Sequence, residues 1–240
     1  MSYIEDNGYF IFDGVKSSDY GVWIHGGGTY NAPKRRYKEY VIPGRNGTLT
    51  ISDGTFEETD HTYAAFIPRR FSENIEELRN QLSSRTGYLR LSDSYHDDEF
   101  YRARYWSGLE VDVIPGGKGG SFKVTFRRDP RRFLTGGERT ITYTSAGSIN
   151  NPTLFDSKPL IRVTGYGTLT IGSDVITIAS GQTYVDIDSE IENCYMGTEN
   201  KNSKVTFQNN NFPVLPPGDT GITWSGSITR VTITPRWWRI

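Results

Sequence analysis

The side chains able to do acid–base or nucleophilic chemistry are few: three histidines, His25, His61 and His96, and one cysteine, Cys194. A general base must lie within hydrogen-bond reach of the proton it takes. None of the histidines sits beside a Gly-x-Ser-x-Gly elbow, because that motif does not occur. Nucleophilic use of Cys194 would need a base brought from a distant part of the chain, so a partly buried thiol is the expectation. Metal-capable ligands gather at Tyr95-His96-Asp97-Asp98-Glu99 and, at period two, at Asp186, Asp188 and Glu190. The second set would project from one face of a strand. Neither set has the Asp-x-Asx-x-Asx-Gly pattern of a calcium loop or a histidine pair. They read as a polar turn and a solvated strand face, so no catalytic residue, metal ligand or cofactor site is assigned.

Two further patterns point toward phosphate. Gly116-Gly117-Lys118-Gly119-Gly120 looks like a phosphate loop, but such a loop needs a hydroxyl residue after the lysine and a following helix. Here Gly119 follows Lys118, and Ser121–Phe126 reads as a strand, so the segment is a hairpin tip. The basic clusters Lys34-Arg35-Arg36, Arg69-Arg70 and Arg127-Arg128…Arg131-Arg132 have aromatic neighbours that could stack on bases. Yet Lys plus Arg (27) nearly balance Asp plus Glu (28), which leaves no global field for nucleic acid or an acidic membrane. Surface or interface pairing is the reading for these arginines.

The elements that would position such residues are short strands. Tyr, Thr, Val and Ile recur in brief runs between 26 glycines and 11 prolines, which is an all-β pattern. The first part, to about Leu134, carries strands near residues 9–12, 21–25, 37–42, 47–52, 87–92, 99–106, 109–114 and 121–126. One helix interrupts them at about 72–84. Ser72 is its expected N-cap, Ile75, Leu78 and Leu82 share a face, and Gly87 lies just past its end. Gly136-Gly137 reads as a linker. Beyond Thr140 only strands are predicted, at a regular short spacing that suggests a β-sandwich. The division is therefore 1–134 and 135–240. A single cysteine excludes an intrachain disulfide framework. The opening MSYIEDNGYF lacks the basic and apolar regions of a signal peptide, and no apolar run approaches membrane-spanning length. The expectation is synthesis and folding in a cytosol.

The segment Tyr37–Gly54 has the densest turn chemistry. Pro43-Gly44 suits the centre of a type II turn, and Asn46-Gly47 is a two-residue hairpin signal. Leu49 and Ile51 alternate with Thr48, Thr50 and Ser52 as in a half-buried strand. This builds a sheet corner with Arg45 exposed at its tip. At the other end, Pro235-Arg236-Trp237-Trp238-Arg239-Ile240 places two tryptophans side by side. Strand alternation sends Trp237 and Trp238 to opposite faces, so at most one fills the core of a one-sided sheet and the other is covered by a second domain or chain or stays as an exposed anchor. Arg45, Trp237 and Trp238 are the candidate interface residues.

Several blocks together resemble a known family. Phe12-Asp13-Gly14-Val15-Lys16-Ser17-Ser18-Asp19-Tyr20-Gly21-Val22 resembles its opening strand and turn, and Ile42-Pro43-Gly44-Arg45-Asn46-Gly47 its hallmark. Gly87–Tyr95 with Tyr101-Arg102-Ala103, and Phe126–Phe133, match its later blocks in the same order. Asn150-Asn151-Pro152, Pro159–Gly165 and the closing Pro-Arg-Trp-Trp complete the set. The chain resembles, nearly end to end, the distal tail (Dit) proteins of long-tailed phages and prophages of Gram-positive bacteria.

That resemblance implies a mostly β protein with an N-terminal ring-forming domain and a C-terminal galectin-like β-sandwich. It implies a homo-hexameric ring at the virion tail tip, a hub joining the major tail-tube protein to tail-associated lysin, tail-tip or baseplate proteins. DNA would pass through the lumen without being read by sequence, and no membrane is engaged. A galectin-like fold does not carry sugar binding with it, and no loop here is long enough to hold an inserted carbohydrate-binding module. The alternative is a carbohydrate-binding module contacting the host wall, which needs an exposed aromatic platform. A tail-associated hydrolase would need convergent carboxylates, and no persuasive pair is present.

Overall fold

The computed structural model describes residues 7–114 and 118–240. Over these residues the chain is mostly β-strand with one α-helix, the fold class expected. It divides into two compact units, one running up to Arg132 and including Ile240, the other Phe133–Arg239.

In the first unit one sheet takes the strands in the order Val15–Lys16, Phe10–Phe12, Leu89–Asp93, His96–Tyr105, Gly120–Leu134, Thr59–Ile67 and Trp23–His25. Side chains alternate across a strand, and the two central strands use this fully. Phe122, Val124, Phe126 and Arg128 point inward from one, and His61, Tyr63, Ala65 and Ile67 from the other. Their antiparallel register sets Val124 opposite Tyr63 and Phe126 opposite His61. Phe10, Tyr63 and Phe126 then meet as an aromatic cluster, with Phe10 stacked on Tyr63 at 5.6 Å and edge-on to Phe126 at 5.6 Å. The strand Thr59–Ile67 is not announced by an apolar alternation, because its inward row begins with a histidine.

The helix runs Phe71–Ser83 and buries Phe71, Ile75, Leu78 and Leu82 against this core. It begins one residue before the expected N-cap, so Ser72 lies inside it. Arg70 holds the cap position in a left-handed conformation (φ 50°) and makes no side-chain cap. Burial of Phe71 outweighs the capping preference of serine, which is worth only about 1 kcal/mol. The Lys118 glycine stretch includes Gly116 and Gly117, which lie outside the described residues.

The second unit is a two-sheet sandwich. One sheet orders Ile141–Tyr143, Arg230–Thr234, Leu160–Thr164, Tyr184–Asp188, Asn193–Met196 and Glu199–Asn200. The other orders Gly147–Asn151, Gly218–Gly226, Gly167–Ile171, Asp174–Ile178 and Val205–Phe207. Ile161, Val163, Val185 and Ile187 from the first sheet face Leu169, Ile171, Ile176 and Ile222 from the second, all fully buried. Gly167 is required by close backbone approach: a Cβ there would lie 2.2 Å from the Ser225 carbonyl oxygen. Gly136-Gly137 does not form a loose linker. Thr135–Glu138 is a 3-10 turn, Gly137 is buried, and its carbonyl accepts from the Arg236 amide at 2.7 Å. A Cβ on Gly137 would meet the Trp237 backbone nitrogen at 2.3 Å, so these glycines serve packing.

Candidate assembly surface and a buried polar cluster

The segment with the densest turn chemistry forms a two-stranded arm. Arg35–Val41 pairs with Thr48–Phe56 and with no other strand among the described residues. The register places Tyr40 opposite Leu49 and Lys38 opposite Ile51 on one face, and Val41 opposite Thr48 and Tyr37 opposite Ser52 on the other. Both faces are in water. Ile51 is 50% exposed and Val41 79%, so the half-buried strand expected at Leu49 and Ile51 is instead open on both sides. Among the described residues no second layer covers the arm.

The arm's tip also differs from the two-residue turn expected at Asn46-Gly47. The strands are joined by six residues, 42–47. The first turn is as predicted: the Arg45 amide donates to the Ile42 carbonyl at 3.2 Å, and Gly44 has φ 80°, the left-handed value a type II turn needs. Gly47 has φ 81° and closes the loop rather than centring a second turn. Arg45 is exposed at this tip, as expected. With Lys34, Arg35, Arg36 and Lys38 it makes the arm basic, against Glu39 and Asp53.

The paired tryptophans behave differently. Trp237 is 6% exposed and belongs to the sandwich core, which removes it from any surface role. Trp238 is only partly buried: its ring stacks on Phe155 at 4.4 Å and its indole N–H donates to the Asp156 carbonyl at 2.9 Å. The second ring is therefore covered by a loop of its own unit. The divergence arises from Arg236, whose left-handed φ of 60° ends the preceding strand before the pair.

The strand face of Asp186 and Asp188 is not solvated, whereas Asp97 and Asp98 are exposed. Asp186 and Asp188 are both buried and each takes a bidentate arginine, Arg162 at 2.6 and 2.8 Å and Arg236 at 2.6 and 2.9 Å. Burial pushes the Asp188 carboxyl up, but the Arg236 hydrogen bonds and charge outweigh it and hold the group below the usual range. These are structural ion pairs. Near His96 the organising acid is Asp93, outside the cluster the sequence singled out. Its Oδ1 accepts from the Tyr95 and His96 amides and lies 3.0 Å from His96 Nδ1, while Tyr63 donates to Oδ2 at 2.9 Å. An Asp bonding the backbone two residues on is an Asx-turn, and Asp93-Ser94-Tyr95 carries that signal. Among the described residues no group of three or more acidic, histidine or cysteine side chains could hold a metal.

The arginine run is also resolved by alternation. Arg127 faces out, pairs with Asp60 at 2.7 Å and lies 4.4 Å over the Trp106 ring. Arg128 faces in and is 3% exposed. Beside it His61 packs edge-on to Tyr63 at 4.6 Å and at 5.0 Å from Tyr101. Burial, then the Arg128 charge, lowers the His61 pKa to about 4. Cys194 is fully buried and burial pushes its thiol up to about 12, which leaves it a poor nucleophile.

The fold is shared with a solved phage tail hub protein. The Dit protein (gp 19.1) of phage SPP1, described as a paradigm of the hub adsorption apparatus in phages infecting Gram-positive bacteria, superimposes with a TM-score of 0.71. The match covers 97% of this chain and 99% of that one at 15% identity. Two structures of the phage P2 baseplate in its activated conformation, with Ca and with Sr, are weaker likenesses at 9% identity. Their TM-scores are 0.44 and 0.45, over 95% and 94% of this chain and 97% of theirs. No protein-family model matches the chain, and no curated protein matches it by sequence.

Proposed function

We propose that this protein is a structural hub of the distal phage tail, a closed hexameric ring that joins the tail tube to tail-tip or baseplate proteins and lets DNA pass. The part up to about residue 134 makes the subunit contacts, and the role requires no catalytic step. One observation carries the reading: the arm Arg35–Val41/Thr48–Phe56 exposes Tyr37, Tyr40, Val41, Ile42, Leu49 and Ile51 on its two faces and its loop. A lone two-stranded hairpin is marginal in water and gains stability from a third partner. An apolar patch of this kind on a soluble chain marks a contact surface. Head-to-tail contacts that close by rotation give every arm the same neighbour, which is how a ring uses one such surface. The fold shared with the SPP1 Dit protein supports the same reading.

The test is the solution mass and electron microscopy of the full chain, alone and with tail-tube and tail-tip proteins. Rings, or caps on tube ends, are expected. A chain that stays monomeric at high concentration and ignores both partners would overturn the proposal.

A further inference from the structure

The first unit holds a cavity of about 150 Å³, lined by residues 29–32, Tyr101, Arg128, Arg132 and Ile240. At ~30 Å³ per water, that is room for roughly five waters, or for a carboxylate on a short stem. The two arginines differ in their partners. Arg132 donates to Glu99 at 3.3 Å and to the Ile240 oxygen at 2.6 Å. Arg128 lies deeper, 3% exposed, and donates only from Nη2, to the Asn31 carbonyl at 2.9 Å. Its Nε and Nη1 reach no acceptor among the described residues. One face of the guanidinium lies 4.4 Å over the Tyr101 ring.

The nearby acids are engaged elsewhere, Glu99 with Arg132 and Tyr101, Asp93 with Tyr63 and His96. A buried cation is stable where acceptors and opposite charge replace its water. The Asn31 carbonyl gives an acceptor without a charge. Burial accordingly lowers the Arg128 pKa from its ordinary value.

We propose that this cavity is a carboxylate-binding site anchored by Arg128. The guanidinium fork matches the two oxygens of a carboxylate. With Arg132 taken by Glu99 and the Ile240 oxygen, Arg128 alone has donors left for a ligand, and a single guanidinium fork suits a carboxylate monoanion better than phosphate, which carries more negative charge near neutrality. Ala32 and the Tyr101 ring suit an apolar stem. Two sources share this chemistry, a free small carboxylate and an Asp or Glu side chain presented by another protein chain. The site does not depend on ring formation, so it stands or falls separately from the hub reading.

The experiment titrates the full-length protein at constant ionic strength with acetate, with N-acetylglutamate N-methylamide as an acidic side chain, with phosphate and with chloride. The readouts are the Arg Nε–H NMR signals and the melting temperature, which a ligand of the folded state raises. Expected are saturable carboxylate shifts that chloride does not produce. Affinity should weaken about tenfold or more in Arg128→Gln and in Ala32→Phe, which narrows the rim and leaves the guanidinium in place. Tighter binding of acetate identifies a free carboxylate as the source, and tighter binding of the glutamate amide identifies a protein side chain; both uphold the site. The proposal is overturned by carboxylate effects no larger than those of chloride, by phosphate binding more tightly, or by undiminished binding in Ala32→Phe. That last variant decides the matter even where Arg128→Gln does not fold.

Discussion

Two hairpins of this chain are written in the same style and meet opposite fates. Gly167–Ile171 pairs with Asp174–Ile178, and Arg35–Val41 pairs with Thr48–Phe56. Both are antiparallel, each has a strand that alternates apolar with polar side chains (Leu169 and Ile171 in one, Leu49 and Ile51 in the other), and both turn through glycine at positive φ. In the sandwich hairpin Leu169, Ile171 and Ile176 are fully buried because a second sheet of the same unit covers them. In the arm Leu49 and Ile51 remain 39% and 50% exposed, with no second layer among the described residues. Alternation announces that one face of a strand wants cover. It does not say which molecule supplies the cover, and for the assembly proposed above that is the decisive question.

The largest effect expected separates a tryptophan in the sandwich core from its neighbour at the margin. Trp237→Ala removes a core side chain of the sandwich and should cost about 3–5 kcal/mol, read by thermal or urea unfolding of the full chain. Trp238→Ala loses the stacking on Phe155 and the hydrogen bond to Asp156 and should cost about 2 kcal/mol. Equal effects at the two positions would mean that burial in the sandwich does not distinguish them.

Next comes the polar side of the first unit's core. The His61 pKa is about 4 folded against about 6.5 unfolded, so between these values the unfolded chain binds a proton that the folded chain does not. Its contribution is fully present above pH 6.5 and is lost as pH falls toward 4, a total of ~3 kcal/mol. Unfolding free energies measured across that window should rise with pH in the native chain and flatten in His61→Phe. An unchanged slope in that variant would assign the dependence elsewhere.

A smaller loss tests the buried pairs of the sandwich. Asp188→Asn should destabilise by ~2 kcal/mol, less than a wholly buried pair, because the Arg236 side chain keeps 21% of its surface in water. Because the folded pKa of Asp188 is depressed, its stabilisation is present above the unfolded value near 4 and fades as pH drops through the lower folded value. Acid titrations of native and variant chains should therefore converge at low pH.

The smallest effect on stability carries the most functional weight. Replacing Leu49 and Ile51 together by serine should change unfolding by within about 0.5 kcal/mol, as for exposed positions. The same variant should lose self-association or binding to tube ends in light scattering and electron microscopy. Clear destabilisation of the isolated chain would show that the arm has cover within its own subunit, and the contrast between the two hairpins would vanish.

Much of this architecture is legible in the residues. Turn glycines and period-two apolar spacing place most sandwich strands, and Ile75, Leu78 and Leu82 at helical spacing mark the one helix. The type II turn at Pro43-Gly44 follows from proline's fixed φ and glycine's freedom, which are local properties. The blocks of family resemblance likewise anticipate the fold that the SPP1 Dit protein shares. The strand Thr59–Ile67 was hidden because His61 occupies an apolar position, and whether a histidine belongs in a core depends on Tyr63, Tyr101 and Arg128 around it. Side-chain partners were equally out of reach. Arg127 and Arg128 are neighbours of one type, yet one pairs with Asp60 in solvent and the other is sealed inside. Strand alternation allows either assignment until the sheet's covered face is known. Trp237 and Trp238 differ for the same reason, through a left-handed Arg236 stabilised by Asp188 and the Gly137 carbonyl far away in sequence. Conformation within a few residues is set by sterics and hydrogen bonds that the sequence itself carries. Burial, ion pairing and the lack of cover on the arm depend on chain segments brought together from afar, and only the tertiary structure decides them.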